Sequence, residues 1–473
     1  MLCRKLISVV AVAFLMVLRC EADELRLGTF TIDASPPIGS PLAYDPTKEI
    51  TEPLSARGIV LLGSGKPIVL CAVDWLGIAN ASHLKFREAI AAAVGTEPTR
   101  VVVHALHQHD APRCDLSAAS ILGDQAAAHY DVPFIERIIE QTANAVQQAA
   151  QTSQPVSSLG IGQAEVVSVA SNRRLLDPDG QVHTTRYTAC KDPEIRALPT
   201  GVIDPQLKTL TFHGAEGPLA VVTFYATHPQ SYYRTGQANP DFPGMARNQR
   251  QAETGVFHLH FNGAGGNIGA GKFNDGATEN RQVLADRMAD GMRSAWEHLR
   301  KQHVAATDVS WAYTTAPLPV AAHLQHDELA ARVAAEATGF AERCNAAEML
   351  AFLQRANDDR QVPVTISRLQ LGDVQLLFMP GELFVEYQLA AQAMAPESTV
   401  MLAAYGDYGT AYIGTRAAYG QGGYEVSQRA TNVSPDVEAA LVTAMRSLLD
   451  ATDLRVLPSD FTETTGPLPL GQR

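Results

Sequence analysis

The stretch VVVHALHQHDAPRCD, residues 101–115, sets three histidines and two aspartates directly behind a β-branched run. Val101, Val102 and Val103 favour an extended chain, because branched side chains are stiff and pack well on a pleated surface. Strand alternation carried onward places His107 and His109 on one face and His104 on the other. Two imidazoles at alternate positions can aim at one cation, or one can bind while its neighbour handles protons. His-x-His alone is a weak motif, and a satisfied structural histidine is the bland alternative.

Working outward, RGIVLL and PIVLCAVD flank GSGK as a hairpin, and a helix begins near Ser82 with Leu84, Ile90 and Val94 at helical spacing. Downstream, residues 134–151 read as a second helix. Strand-like runs then gather in LGIGQAEVVSVAS, LKTLTFHG and LAVVTFYATH, the last two joined by AEGP. Helices are expected over 281–302 and 327–357, and VPVTISRLQLGDVQLLFMPGE predicts a hairpin turning at Leu371-Gly372-Asp373. Strands and helices interleave throughout. The expectation is an α/β fold of mixed sheets layered with helices, one large domain over residues 23–473, with no internal repeat and no polar linker.

The first 22 residues read as a secretory signal peptide. Arg4 and Lys5 precede an apolar run from Leu6 to Leu18, with a small residue at Ala22. No later segment has the roughly 18 consecutive apolar residues of a membrane span. A secreted or periplasmic protein is therefore expected. Its formal charge is −13, and it is more acidic still without the leader, which argues against nucleic acid as a partner. Cys71, Cys114, Cys190 and Cys344 follow the leader, and their pairing, including a bridge between Cys114 and Cys190, is open.

Three more stretches carry candidate chemistry. In FYATHPQ, His228 leaves an apolar strand, a common place to build a site in α/β folds. In FHLHFNGAGGNIGAGKFND, alternation sets His258, His260 and Asn262 on one face before a glycine-rich turn at Gly263, Gly265, Gly266 and Gly269. That turn lacks a phosphate-loop signature and reads as a close approach of backbone to a ligand. In MPGELFVEY, Glu382 stands at a strand exit suited to an oxygen ligand, and tyrosines 405, 408, 412, 419 and 424 crowd the loop beyond. No Gly-x-Ser-x-Gly elbow is present, and Cys114 is a poor nucleophile candidate in an exported chain.

Taken in order, these pieces resemble the amino-terminal catalytic domain of the neutral ceramidase family. LHQHDAP stands for that family's Thr-His-Thr-His-Ser-Gly-Pro. Asn172-Arg173 matches its Asn-Arg element, YATHPQ its strand ending in histidine, and Pro380-Gly381-Glu382 its Pro-Gly-Glu segment. Tyr408 to Glu425 matches its tyrosine-rich loop. The resemblance implies zinc held by His107, His228, Glu382 and Tyr412. It implies that His109 contacts substrate or transfers protons, with Asp110 or Asp241 behind it, and that Arg173 and Tyr424 stabilise an oxyanion. Asp110, Asn262, Gly263 and Asn267 would contact the substrate.

Departures accompany the matches. Gly263-Ala264-Gly265-Gly266-Asn267 aligns with a Ser-Asn-Ala-Gly-Asp motif and lacks its hydroxyl, Asp110 replaces a serine, and the chain leaves no room for the family's carboxyl-terminal immunoglobulin-like domain. The expected protein is thus an exported zinc-dependent hydrolase, an amidase whose small-molecule or lipid-like substrate is not ceramide. The alternatives are a non-catalytic metal- or ligand-binding protein on the same fold, and a metal-dependent esterase.

Overall fold

The computed structural model describes residues 24–464 apart from 336, 338 and 452, so the expected leader lies outside the described residues. Its architecture is mixed α/β, built from one topology used three times. In the first unit, the strands Arg26–Asp33, Ser55–Leu62 and Ile68–Val73 pair antiparallel in turn, and Val101–Ala105 then joins the third in parallel. A parallel neighbour needs a crossover, which the helix Asn80–Val94 supplies.

The second unit repeats this with Ser158–Glu165, Gln206–Gly214, Gly217–Tyr225 and the parallel strand Phe257–Asn262. Its crossover contains the helix Asp241–Thr254. The third uses Val309–Pro319, Gln361–Leu371, Val374–Phe378 and the parallel strand Thr399–Ala403, with Val385–Met394 as crossover helix. A closing helix follows each fourth strand: Val132–Gln151, Asn280–Glu297 and Val437–Leu449. The repeat absent from the sequence is therefore present in the topology.

The three sheets turn their inner faces to one common core. Ile59 and Leu70 from the first, Leu210, Phe224 and Phe261 from the second, and Leu369, Leu376 and Met401 from the third belong to a single buried cluster. The outer faces are covered by helices in separate apolar clusters, and Cys344, Ala347 and Ala351 from the third unit's helix Phe340–Leu353 join the cluster of the first. Small residues set how closely those helices lie. A side chain at Gly28 would put Cβ 2.0 Å from the Ala149 carbonyl oxygen, and one at Gly162 would put it 2.1 Å from that of Ala295. Both glycines sit on the first strand of their unit beneath its closing helix, so close approach explains both.

Several expectations are corrected in detail. The helix expected over 327–357 is two, His326–Ala334 and Phe340–Leu353, with Gly339 as the amino-terminal cap of the second in a non-helical conformation. The helix expected to Gln302 ends at Glu297, and Arg300–His303 instead pairs with the edge of Ser158–Glu165, which satisfies its backbone. The strand expected over LGIGQAEVVSVAS stops at Glu165. All four described cysteines are free, so the bridge considered between Cys114 and Cys190 does not form. Among the described residues no helix is long and apolar enough to cross a membrane.

Candidate metal centre

Each unit delivers one candidate ligand from the carboxyl end of its parallel strand pair. His107 follows Val101–Ala105, His228 follows Gly217–Tyr225, and Glu382 follows Val374–Phe378. Open α/β sheets build sites at such strand ends, because side chains leaving the sheet there are free to converge. Strand alternation does not bring the histidines together as expected. The strand ends at Ala105, and His107 takes a left-handed backbone at φ 68. Its ring nonetheless meets His109 and His228, at centroid separations of 5.2 and 4.8 Å.

Hydrogen bonds fix the roles of the ring nitrogens. His107 Nδ1 donates to the Leu76 carbonyl at 2.6 Å, which leaves Nε2 as a lone pair. That atom is buried, has no hydrogen-bond partner, and lies 3.2 Å from Glu382 Oε2, which is likewise unpartnered. His228 Nδ1, the third orphan, lies 3.7 Å from the same oxygen. The other Glu382 oxygen accepts from the Tyr408 hydroxyl at 2.7 Å. His109 Nε2 is 3.1 Å from His228 Nε2, and its Nδ1 is 3.0 Å from the Tyr44 hydroxyl. A second nitrogen set overlaps the first, since His107, His109 and His228 offer atoms all within 4.8 Å of one another.

Burial sets the charges. It pushes His109 and His228 well below the usual imidazole value, so both stand neutral and able to ligate. Burial also pushes Glu382 up, but His107, Tyr408 and Arg173 outweigh it and keep the carboxylate ionised. The hydroxyls of Tyr408 and Tyr412 are raised well above the ordinary phenol value, chiefly by burial.

Tyr412 is placed by a short parallel ladder in which it is the register partner of Glu382. Its ring lies under the Arg173 guanidinium, 5.1 Å from centroid to carbon. Arg173 donates Nε to Glu425 at 2.7 Å, while its buried Nη2 has no partner. Tyr424 packs edge-on against Tyr412 at 5.8 Å and lines, with it, His109 and Glu382, a cavity of ≈ 270 Å³.

The four residues expected to contact substrate are not among those lining this cavity, and the polar side chains among them are engaged within the fold. Asp110 accepts from Arg281 at 3.0 Å and from the Thr235 hydroxyl at 2.9 Å. Asp241, expected behind His109, pairs with the same Arg281 at 3.4 Å. Asn262 is held by His260, by His104 and by the Leu106 carbonyl. Asn267 donates to Glu386 and accepts from the Val385 N–H. A side chain at Gly263 would put Cβ 2.3 Å from Gln388 Oε1. These residues build the walls rather than the lining.

His258 and His260 do not converge on the cluster. His258 stacks on Trp296, and His260 bonds to Thr223 and Asn262. His104 donates Nδ1 to the Ala404 carbonyl and accepts from the Asn262 N–H, tying the fourth strands of all three units together. Tyr44 and Gln108 carry no signal as site residues in the sequence, and Tyr405 stands there only as one of a crowd of tyrosines. Tyr405 stacks on His107 at 4.7 Å, and Gln108 reaches back to the Asp74 carbonyl. Tyr44 carries no local motif, and its place beside His109 arises from the tertiary fold.

Burial pushes His104 and His260 down to about 3. Neutral in the fold, they take up protons on unfolding once pH falls below about 6.5, so the unfolded state binds more protons and stability rises with pH. Their contribution is complete above about 6.5 and is lost as pH falls from there toward 3. The share of the pH 7 to pH 5 difference in urea stability that His104 and His260 carry, read as what His104→Gln and His260→Gln remove from it, should be about 2–4 kcal/mol. An unchanged pH difference in those variants would contradict this burial.

The fold matches that of known enzymes. The crystal structure of neutral ceramidase from Pseudomonas aeruginosa aligns over 94% of this chain and 76% of its own, with a TM-score of 0.65 and 18% identity. A ceramidase complexed with C2 aligns over 94% and 77%, with a TM-score of 0.66 and 17% identity. No family model matches the sequence, and comparison with curated proteins finds no match. At these identities the likeness establishes the fold.

Proposed function

We propose that this chain, which has the neutral ceramidase fold, is an exported zinc-dependent hydrolase acting on an amide bond. The observation that carries the reading is the trio of buried, unpartnered atoms His107 Nε2, His228 Nδ1 and Glu382 Oε2. A proton on His107 would serve two of them. A cation shared by all three serves the third as well. Unpaired buried acceptors cost on the order of 1–3 kcal/mol each, so a group that engages all three is strongly favoured.

His107, His228 and Glu382, with Tyr412 at the edge, form a mixed nitrogen and oxygen donor set that suits zinc. When bound, zinc supplies Lewis-acid polarisation of a carbonyl and an acidified water. The chain's own residues do the rest. His109 holds or releases a proton at Nε2, its ring fixed through Nδ1 by Tyr44. The free Nη2 of Arg173 and the hydroxyl of Tyr424 face developing negative charge on oxygen. Residues 23–473 form one catalytic domain in this reading, and the leader directs export.

The test is elemental analysis of protein purified with zinc present, followed by assay on a panel of amides before and after chelation. About one equivalent of metal and turnover that chelation abolishes and zinc restores are expected. Less than half an equivalent would remove the metal site, and full metal with no turnover would remove the enzyme.

A further inference from the structure

The cavity is lined by three carboxylates and three guanidiniums that do not pair one to one. Glu348 accepts from Arg113 at 3.4 Å and from Tyr130 at 2.8 Å. Asp115 accepts from Asn80 at 2.7 Å and caps its own helix through the N–H groups of Ser117 and Ala118. Glu382 faces the histidines. Two guanidiniums are left over. Arg429 lies 3.9 Å from Glu342, with both groups exposed at the rim, where such a pair contributes little. Arg234, likewise exposed, stands at the mouth of the cavity and has no ion pair or hydrogen bond among the described residues.

Arg234 is nevertheless held in place. Its guanidinium lies over the rings of Tyr44 and Tyr233, 5.2 and 5.5 Å from their centroids. Stacking of this kind orients the planar fork while leaving its N–H donors free. The ring of Tyr44 is the platform, and its hydroxyl contacts His109. The backbone of Arg234 is left-handed at φ 66, and the next residue is clamped by Asp110 through the Thr235 hydroxyl and N–H. A non-glycine residue keeps such a conformation when its surroundings impose it, and such residues concentrate at functional sites. In a chain of formal charge −13, an unmatched and positioned cation beside the site is a local feature.

We infer that Arg234 recognises an anionic group on the substrate, a carboxylate or a phosphate, carried close to the bond that is cleaved. Both present oxygens at the spacing a guanidinium fork meets with two parallel hydrogen bonds. A cavity of ≈ 270 Å³ sits at the small end of ligand pockets, which suits a compact molecule. The catalytic part of this inference rests on the hydrolase reading, whereas the binding part does not.

The test uses ketone isosteres, which the reaction cannot cleave, of three hexanoyl amides that differ in head group: N-hexanoylglycine, its uncharged amide, and N-hexanoyl-phosphoethanolamine. Calorimetry on the zinc-loaded protein should show at least about tenfold tighter binding of one or both anionic probes than of the uncharged one. The preferred anion identifies the head group. Arg234→Gln should remove that preference and leave the uncharged probe unchanged, while Arg429→Gln should change it by less than about threefold. Equal affinity for the three, no binding of any, or equal weakening of all three by Arg234→Gln would overturn the inference. Loss of the amide-hydrolase reading would register separately, as absent turnover with the binding preference intact.

Discussion

Glu382→Gln and His107→Ala are each expected to lower kcat/KM at least about 10³-fold, or about 4 kcal/mol in the transition state. Metal content should fall with it. Glutamine keeps the size of Glu382 and its acceptor for Tyr408 but removes the charge, so the loss reports the charge rather than the packing. Tyr408→Phe removes the hydrogen bond that orients the carboxylate and should cost about 10–100-fold, the usual scale for a group that positions a ligand. His109→Ala distinguishes the two overlapping nitrogen sets. If His109 handles protons, metal stays and turnover drops; if the ion sits among the three histidines, metal is lost too. Full metal content and more than about a tenth of the activity in Glu382→Gln would place the ion away from Glu382.

Arg247→Met should destabilise the protein by about 3–5 kcal/mol, measured by urea unfolding. Arg247 donates both terminal nitrogens to Asp74, at 2.7 and 2.9 Å, and both side chains are fully buried. Burial alone would push Asp74 up, but the charge and hydrogen bonds of Arg247 hold it below the usual carboxylate range. Removing the arginine takes both of these hydrogen bonds from the buried charge and leaves Arg57 as the cation near it. Asp74 also receives the Ser55 N–H and hydroxyl, and its carbonyl receives Gln108, the residue between the two site histidines. Activity should therefore fall with stability. Asp74→Asn combined with Arg247→Met should recover part of the loss, because the buried carboxylate that loses its partner is gone, while Arg57 keeps its hydrogen bond to the Ser55 hydroxyl. A cost below about 1 kcal/mol for Arg247→Met would show that the pair supports nothing.

Sequence patterning reached the elements and stopped short of their arrangement. The hairpins at GSGK and Leu371-Gly372-Asp373 were legible because apolar alternation and a turn residue coincide, with Gly372 left-handed at φ 61. The convergence of His107, His228 and Glu382 followed from resemblance rather than from spacing. The three residues stand more than a hundred positions apart, and periodicity reports faces of elements, not meetings between them. The surroundings of the expected substrate-contact residues escape the sequence for a related reason. Asn262 and Asn267 sit in a polar, glycine-rich segment that looks open in one dimension, yet their amides are consumed by Leu106 and Glu386 from distant elements. The repeated topology escaped because it rests on strand pairing, which many unrelated apolar sequences satisfy.

Among the described residues, nine non-glycine residues have a positive φ. Asn80, Arg234 and Ala411 line the cavity, His107 and Tyr405 stack on each other beside it, and Asp241 pairs with the arginine that holds Asp110. Six such residues, at about 1 kcal/mol or more each, are comparable with the net stability of a whole domain. The cost falls at folding, not when a ligand arrives. A cation or substrate therefore meets groups already oriented, and its affinity is not reduced by the work of arranging them. The same economy makes the region around His107 the first that a search for a more heat-resistant variant would relax, and the one where relaxation would most readily cost activity.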